Sequence, residues 1–509
     1  MAIESFEELS ALTLGNYLDM VVEEAQKAAG PQRGQDLLAL LRSSPGGVVD
    51  LGGKTVWLKG GLRLRDEQGA TIMNGTLPDG FVYLEGSRRV GPNTTSRICL
   101  RNLTFRGPGK PAVAEPIVDG YGISNASLVS VRGAVGVVIE GCTFVGAARS
   151  AEWKGLDRPV DVNNDKGVLT AGLHVRTGSV RVENCCFVDN DGPGVWAGCG
   201  CHVAAVTVRN SRFGGNRYCD VAAAASGDVE LEGCVLASAC RVNLLGMAQG
   251  HVRARGTTFC NRHAGASVSS GSTAELERCT FDGCPILALG GELTATDVTV
   301  TGVPKPMPGV MIADGARGTV RGAKISGSTG LVVCGGRLVA SGVVCRDNAD
   351  MGGVVVGRGG FLLLERSTLC KNLIGICVVG QGSTVEAADV ELHDNVDTGV
   401  CVQEGGSVKM RGCSISGGRC GIVVSGTGGA RATAKDTDIS GCATACVAAQ
   451  EGARVALEGG RVTDSKGPGI VVNGAETRVT VSKVACARNA GGDYVRDEGG
   501  SVVGNVVVE

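Results

Sequence analysis

From residue 46 onward the apolar residues come in short runs of three or four, separated by glycine and small polar residues. The stretch Gly399 to Ile415, GVCVQEGGSVKMRGCSI, shows the unit: Gly-Val-Cys-Val, then Ser-Val-Lys-Met, then Cys-Ser-Ile. Each run has the length of a strand rather than a helix. Taking the last bulky residue of each unit as an anchor gives Phe187, Phe213, Leu236, Phe259, Phe281, Val300, Ile325, Cys345, Leu369, Leu392, Ile415, Ile439, Val462 and Cys486. Successive anchors lie 19 to 26 residues apart, most of them 23 or 24. A period of that size built from strands and turns is the mark of a solenoid, because one unit cannot bury its own apolar side chains and must stack on its neighbours. The pattern predicts an all-β chain, a right-handed parallel β-helix with one strand per coil in each of three sheets.

Residues 1–44 break the pattern and read as a helical cap. Ser5 to Lys27 sets leucines, Tyr17, Met20, Val21 and Val22 among acidic residues, and Gln35 to Ser43 forms a short amphipathic helix before Pro45-Gly46-Gly47. Such a cap would cover the unpaired backbone groups of the first coil. The β-helix is assigned to 45–509, with insertions at 107–125, 146–167 and 304–308. Insertions in a solenoid gather on one side and carry binding.

Glycine, 82 of the 509 residues, supplies the tight corners, and a hydrophobic share of 43% suffices for a long narrow core. A net charge of −2 leaves no basic field for nucleic acid. The chain shows no secretory signal pattern and no apolar run long enough to span a bilayer, so it reads as intracellular, cytoplasmic and not membrane-bound. Twenty-two cysteines do not signal a disulfide framework in a chain this long. Cys142, Cys185, Cys234, Cys279 and Cys413 each sit two residues before an anchor, where Ser211, Thr257, Val298, Ser367, Val390 and Thr437 stand in other units. That exchange predicts reduced, buried packing thiols. Asn190, Asn216, Asn348, Asn372, Asn395 and Asn489 each follow an anchor by three residues, which predicts an asparagine stack at one corner.

The stretch Gly46 to Leu77, GGVVDLGGKTVWLKGGLRLRDEQGATIMNGTL, following a short helix, resembles the opening of proteins of the pectate-lyase-like superfamily, in which a helix plugs the first coil. The resemblance implies a fold. Lyases of that superfamily need a base beside a uronate, calcium-holding carboxylates and an arginine or lysine; its glycosidases need two or three aspartates around the sugar bond. The hydrolase elements Asn-Thr-Asp, Asp-Asp, Gly-His-Gly and Arg-Ile-Lys are missing here, the nearest fragment being Gly250-His251-Val252. Of the pectate-lyase Arg-Pro element only Arg158-Pro159 is present.

The insertion 146–167 places Trp153, Asp161 and Asp165 before the strand Leu173-His174-Val175-Arg176. With Leu173 and Val175 inward, alternation sends His174 and Arg176 outward, and Trp196 takes the same place one coil later. Trp153, His174, Arg176 and Trp196 are therefore the candidate carbohydrate-binding residues, and Asp161, Asp165, His174 and Arg176 the candidate catalytic ones. Cys185, Cys186, Cys199, Cys201, His174 and His202 lack the paired spacing zinc prefers, so neither a metal nor a cofactor is expected.

Farther along, the outward position of the first strand turns apolar: Leu287, Met311, Val332, Val355, Cys377, Cys401, Val423, Val447 and Val471. At coil spacing these nine make a stripe about 40 Å long. A strip of that length marks an interaction surface for a protein partner or a second copy. Two function classes follow. One is a non-catalytic β-helix scaffold that uses this stripe and an uncovered C-terminal coil; intracellular β-helix proteins look similar in architecture. The other is a carbohydrate-active enzyme (polysaccharide lyase, glycoside hydrolase or epimerase) with its site in residues 153–202. The free-cysteine pattern and the shortage of aromatic sugar platforms favour the first.

Overall fold

The computed structural model describes residues 37–44, 47–57, 62–65, 69–78, 82–86, 98–107, 127–147, 171–198, 203–269, 271–426, 428–497 and 499–508. They form two compact units, Met1–Asn261 and Arg262–Glu509, each a stack of coils with parallel strand pairing throughout. Within a coil of the second unit the chain runs through Thr398–Gln403, Ser407–Arg411 and Ser414–Ser416, and each strand pairs with its counterpart one coil on. The helix Leu37–Ser43 lies within the predicted cap; residues 1–36, the remainder of that cap, are outside the described residues. Most of insertion 107–125 and most of 146–167 are likewise outside them, whereas 304–308 forms a turn with a cis Lys305–Pro306 bond.

The anchors stack as the period requires. In the first unit Phe105, Phe144, Phe187, Phe213, Leu236 and Phe259 are consecutive partners across the coils. The rings of Phe144 and Phe187 lie 4.5 Å apart and nearly parallel. In the second unit the column runs from Phe281 through Val300, Ile325, Cys345, Leu369, Leu392, Ile415, Ile439 and Val462 to Cys486. All are buried. Each such side chain removes about 1.5–3 kcal/mol worth of apolar surface from water, and the column is continuous because every coil repeats the same cross-section.

Two columns of small residues close the corners. The cysteines two residues before the anchors are buried and free, and they do more than fill space. Cys142, Cys185, Cys234, Cys279 and Cys413 each donate the thiol to the carbonyl two residues back, as Ser211, Thr257, Ser367 and Thr437 do with their hydroxyls. Cysteine, serine and threonine exchange there because all three are small donors. The second column opens the sheet that follows each anchor. A Cβ on Gly399 would lie 2.5 Å from Ile415 Cγ2 and 2.7 Å from the Gly421 carbonyl oxygen, and one on Gly421 would lie 2.4 Å from Ile439 Cγ2. The anchor of the same coil thus packs directly on the glycine backbone.

The predicted asparagine corner is present. Asn348 Nδ2 donates to Asn372 Oδ1 at 2.8 Å, and Asn372 Nδ2 to Asn395 Oδ1 at 3.1 Å, while Asn395 Nδ2 also reaches the Leu369 carbonyl at 3.0 Å. These amides satisfy backbone groups that turn away from the sheets, where water does not reach.

Candidate functional site

The outward position around His174 is built by strict register. Tyr83 pairs with Ser130, Ser130 with His174, His174 with Trp196, Trp196 with Ala222, and Ala222 with Leu245. These side chains leave the solenoid interior as alternation requires, yet Ser130, His174, Trp196 and Ala222 do not meet water, while Tyr83 and Leu245 are half-buried. His174 is 0% exposed, Trp196 1% and Ala222 0%. Trp196 packs with Cys219, Ala222, Ala224 and the partly buried Tyr218, Leu245 and Met247. Its indole donates to the Gly198 carbonyl at 3.2 Å, and the Tyr218 ring lies 6.3 Å away.

His174 and Trp196 stand on the outer face, as the alternation predicts, and both are buried there, Trp196 within an apolar cluster on that side of the sheet. Arg176 is half-buried, and its charge acts on Tyr83, where burial raises the phenol above its ordinary value while Arg63 and Arg176 oppose it. Trp153, Asp161 and Asp165 lie outside the described residues, as do Cys199, Cys201 and His202. Among the described residues no cluster of histidine, cysteine and carboxylate side chains could hold a metal ion.

A buried acid that the sequence reading passed over sits one coil further. Asp220 is 0% exposed. Its carboxylate accepts from Asn216 Nδ2 at 2.8 Å, Asn243 Nδ2 at 2.8 Å, the Ser238 backbone N–H at 3.3 Å and the Ser238 hydroxyl. Burial lifts the carboxyl from its ordinary value to about 6, and the four donors hold it from rising higher. Asp220 takes the position that Gly194 holds one coil earlier, where the carbonyl of Asp220 would lie 2.8 Å from an added Cβ on that glycine. The signal was available: residue 239, three after the anchor Leu236, is alanine, so Asn216 has no asparagine in the next coil. The Asp220 carboxylate supplies the missing acceptor. Asn243 is buried in this network, and Leu245 holds the outward place.

In the second unit the apolar row is in register from Leu287 through Met311, Val332, Val355, Cys377 and Cys401 to Val423. The next partner is Ala448, followed by Val471 and Val495. Val447 is therefore a correction: it pairs with Ile422 and Ile470, points inward and is 0% exposed. The misreading arose because Cys446-Val447-Ala448-Ala449 carries apolar residues on both faces, which leaves alternation without a phase. Leu287, Met311, Val332, Val355, Cys377, Val423 and Val471 are half-buried, Cys401 is 7% exposed and Val495 42% exposed. Leu289 and Val379, on the same strands as Leu287 and Cys377, widen the row. Cys377 and Cys401 are free and adjacent across the coils, and the contact between their thiols holds Cys377 below the ordinary thiol value and pushes Cys401 above it.

The family model described as "Right handed beta helix region" matches residues 60–236, 127–302, 286–431 and 420–509. No curated protein matches the chain. Among solved structures, the chain is similar to the PL6 family alginate lyase AlyGC, at 11% identity and a TM-score of 0.29, over 92% of this chain and 98% of that one. It is similar to the N-terminal fragment of bacteriophage phi29 gene product 12, at 12% identity and a TM-score of 0.33, over 96% and 95%. The periplasmic alginate epimerase AlgG is matched at 10% identity and a TM-score of 0.24, over 89% and 82%. Values this low transfer neither a site nor an activity.

Proposed function

The chain belongs to the right-handed β-helix family, and from that premise we propose that it is a non-catalytic binding scaffold whose apolar row, Leu287 to Val471 with Ala448 in place of Val447, holds the apolar face of a protein partner or of a second copy. The observation that carries this reading is the unbroken register of apolar side chains, nine coils long, on a sheet face that meets solvent. Parallel strands accept β-branched residues on both faces, but an open strip of this length favours removal from water by association.

The carbohydrate-active reading of residues 153–202 would need His174 and Trp196 open to a substrate, and both are out of water.

Light scattering on the purified chain tests the scaffold reading. The wild type is expected to scatter as a dimer or larger, and the double variant Val355→Lys, Val423→Lys as a monomer with an unchanged circular dichroism spectrum. If both are monomers, the occupant is another protein, and capture from the native source is expected to lose it with the double variant. Identical captures by the wild type and the double variant would overturn the proposal.

A further inference from the structure

Along the outward columns of both units, many of the charges that meet across coils are of opposite sign. Asp228 pairs with Arg253 at 2.9 Å, Glu386 with Lys409 at 3.0 Å, Asp438 with Arg461 at 2.7 Å and Asp464 with Arg488 at 2.6 Å. Like charges also meet as single pairs, Glu140 with Glu183 and Arg317 with Arg337, but one column carries three in succession. Arg431, Arg454 and Arg478 are direct cross-strand partners on the strands Arg431–Ser440, Arg454–Thr463 and Arg478–Ala487. Their Cα atoms therefore recur at about 4.8 Å. All three are exposed, and none forms an ion pair or a side-chain hydrogen bond with a described residue.

Like charges stacked at that spacing repel, and nothing in the fold demands them, since Ser407 and Ser501 occupy the same column immediately before and after. Asp438 reaches Arg461 on two of the same strands, and Asp464 reaches Arg488 just past the ends of the second and third, so the absence of pairing is local to this column.

The three arginines line a groove of 780 Å³, with Thr433 and Thr480 beside them and the glycine-containing turns at 429, 452 and 474 along one wall. We propose that this groove binds a tetrahedral oxyanion with three free oxygens, a phosphate or sulfate group carried on a larger molecule. A carboxylate has two oxygens in one plane and is satisfied by a single guanidinium fork. Three forks reaching from successive coils match a group with three free oxygens, which carries two charges as a phosphate monoester and one as a sulfate ester. The threonine hydroxyls add neutral donors, and the volume beyond one such group leaves room for the molecule that bears it. Glu451 and Glu476, also in the lining, oppose the anion and hold the affinity down. This site is independent of the apolar row and stands or falls separately from it.

Titration calorimetry at constant ionic strength, with sodium phosphate, sodium sulfate and sodium acetate as probes, decides the matter. Saturable binding of phosphate or sulfate is expected, about tenfold or more tighter than acetate. Arg454→Gln, at an exposed position, is expected to weaken it at least about tenfold, and Glu451→Gln or Glu476→Gln to tighten it several-fold. Should Arg454→Gln fail to fold by circular dichroism, Arg431→Gln and Arg478→Gln carry the same expectation. The tighter of the two anions assigns the group, and for phosphate the affinity rises between about pH 5 and 8 as the second proton leaves. Absence of saturation with both anions, acetate binding as tightly, or unchanged affinity in the folded arginine variants overturns the proposal.

Discussion

The two units fill the same positions of the coil with opposite kinds of residue. In the second unit three successive corners are closed by amides, Asn348 to Asn372 to Asn395, and the sheet opens on glycine at 375, 399 and 421. In the first unit the corresponding ladder from Asn190 reaches Asn216 and ends on the Asp220 carboxylate, which stands where Gly194 stood one coil before. The outer face differs as well: Trp196 and Ala222 are buried, whereas Val355 and Val423 are half-exposed at the equivalent place. A solenoid dictates the geometry of each position, and it leaves the chemistry to whichever group supplies the required acceptor, donor or absence of a side chain.

The sharpest way to break this comparison is to move the acid. Gly399→Asp would press its Cβ on Ile415 and bring a carboxylate to the Gly421 carbonyl, with Gly417 and Gly421 at the places where Ser238 and Asn243 donate to Asp220. A loss of about 3–5 kcal/mol is expected in denaturant unfolding at pH 7, where the buried charge is uncompensated. A variant as stable as the wild type would mean that the glycine column is not set by the anchor.

Exchanging lysine onto the outer faces should separate the units by nearly as much. Ala222→Lys is expected to cost about 3 kcal/mol or more, since the position has no room and no water. Val355→Lys should stay within about 0.5 kcal/mol while abolishing association. Equal losses at the two positions would erase the distinction between a covered and an open face.

The acid itself makes the first unit sensitive to pH. With its pKa raised from 3.8 to about 6 in the folded chain, Asp220 binds its proton more tightly folded than unfolded. Its contribution is fully present below about pH 4 and is lost as pH rises through about 6, a change of about 3 kcal/mol. The stability difference between Asp220→Asn and the wild type should therefore grow in favour of the variant from pH 4 to pH 7.5, then level off. A flat difference over that range would place the carboxylate in contact with water. Asn372→Ala, in the all-amide ladder, should cost about 2 kcal/mol at either pH, because it strands the amide of Asn348 without introducing a titrating group.

Much of the fold was legible because a repeat reports itself many times. Leu369, Leu392 and Ile415 are stacked partners, as their spacing of 23 requires, and the asparagine and cysteine columns follow the same count. The candidate site was legible only in part. Alternation placed His174 and Trp196 outside the solenoid interior, but it carried no information about their burial there. Val447 was misplaced by one residue because apolar neighbours on both sides hid the phase, and a one-residue slip exchanges the faces. Asp220 was overlooked because an isolated acid in a strand looks like any surface acid until its four donors are seen to converge.

Period, anchors and corner residues were determined by the sequence alone, since each is a local choice repeated at a constant interval and the stacking of like on like leaves one register that buries them all. Which outward rows are covered, which carboxylate lies in the interior and which three arginines stand together without partners were decided only by the tertiary structure. Those properties depend on residues from different coils meeting in space, and the free energy of a charge or an apolar face is set by the neighbours that replace its water.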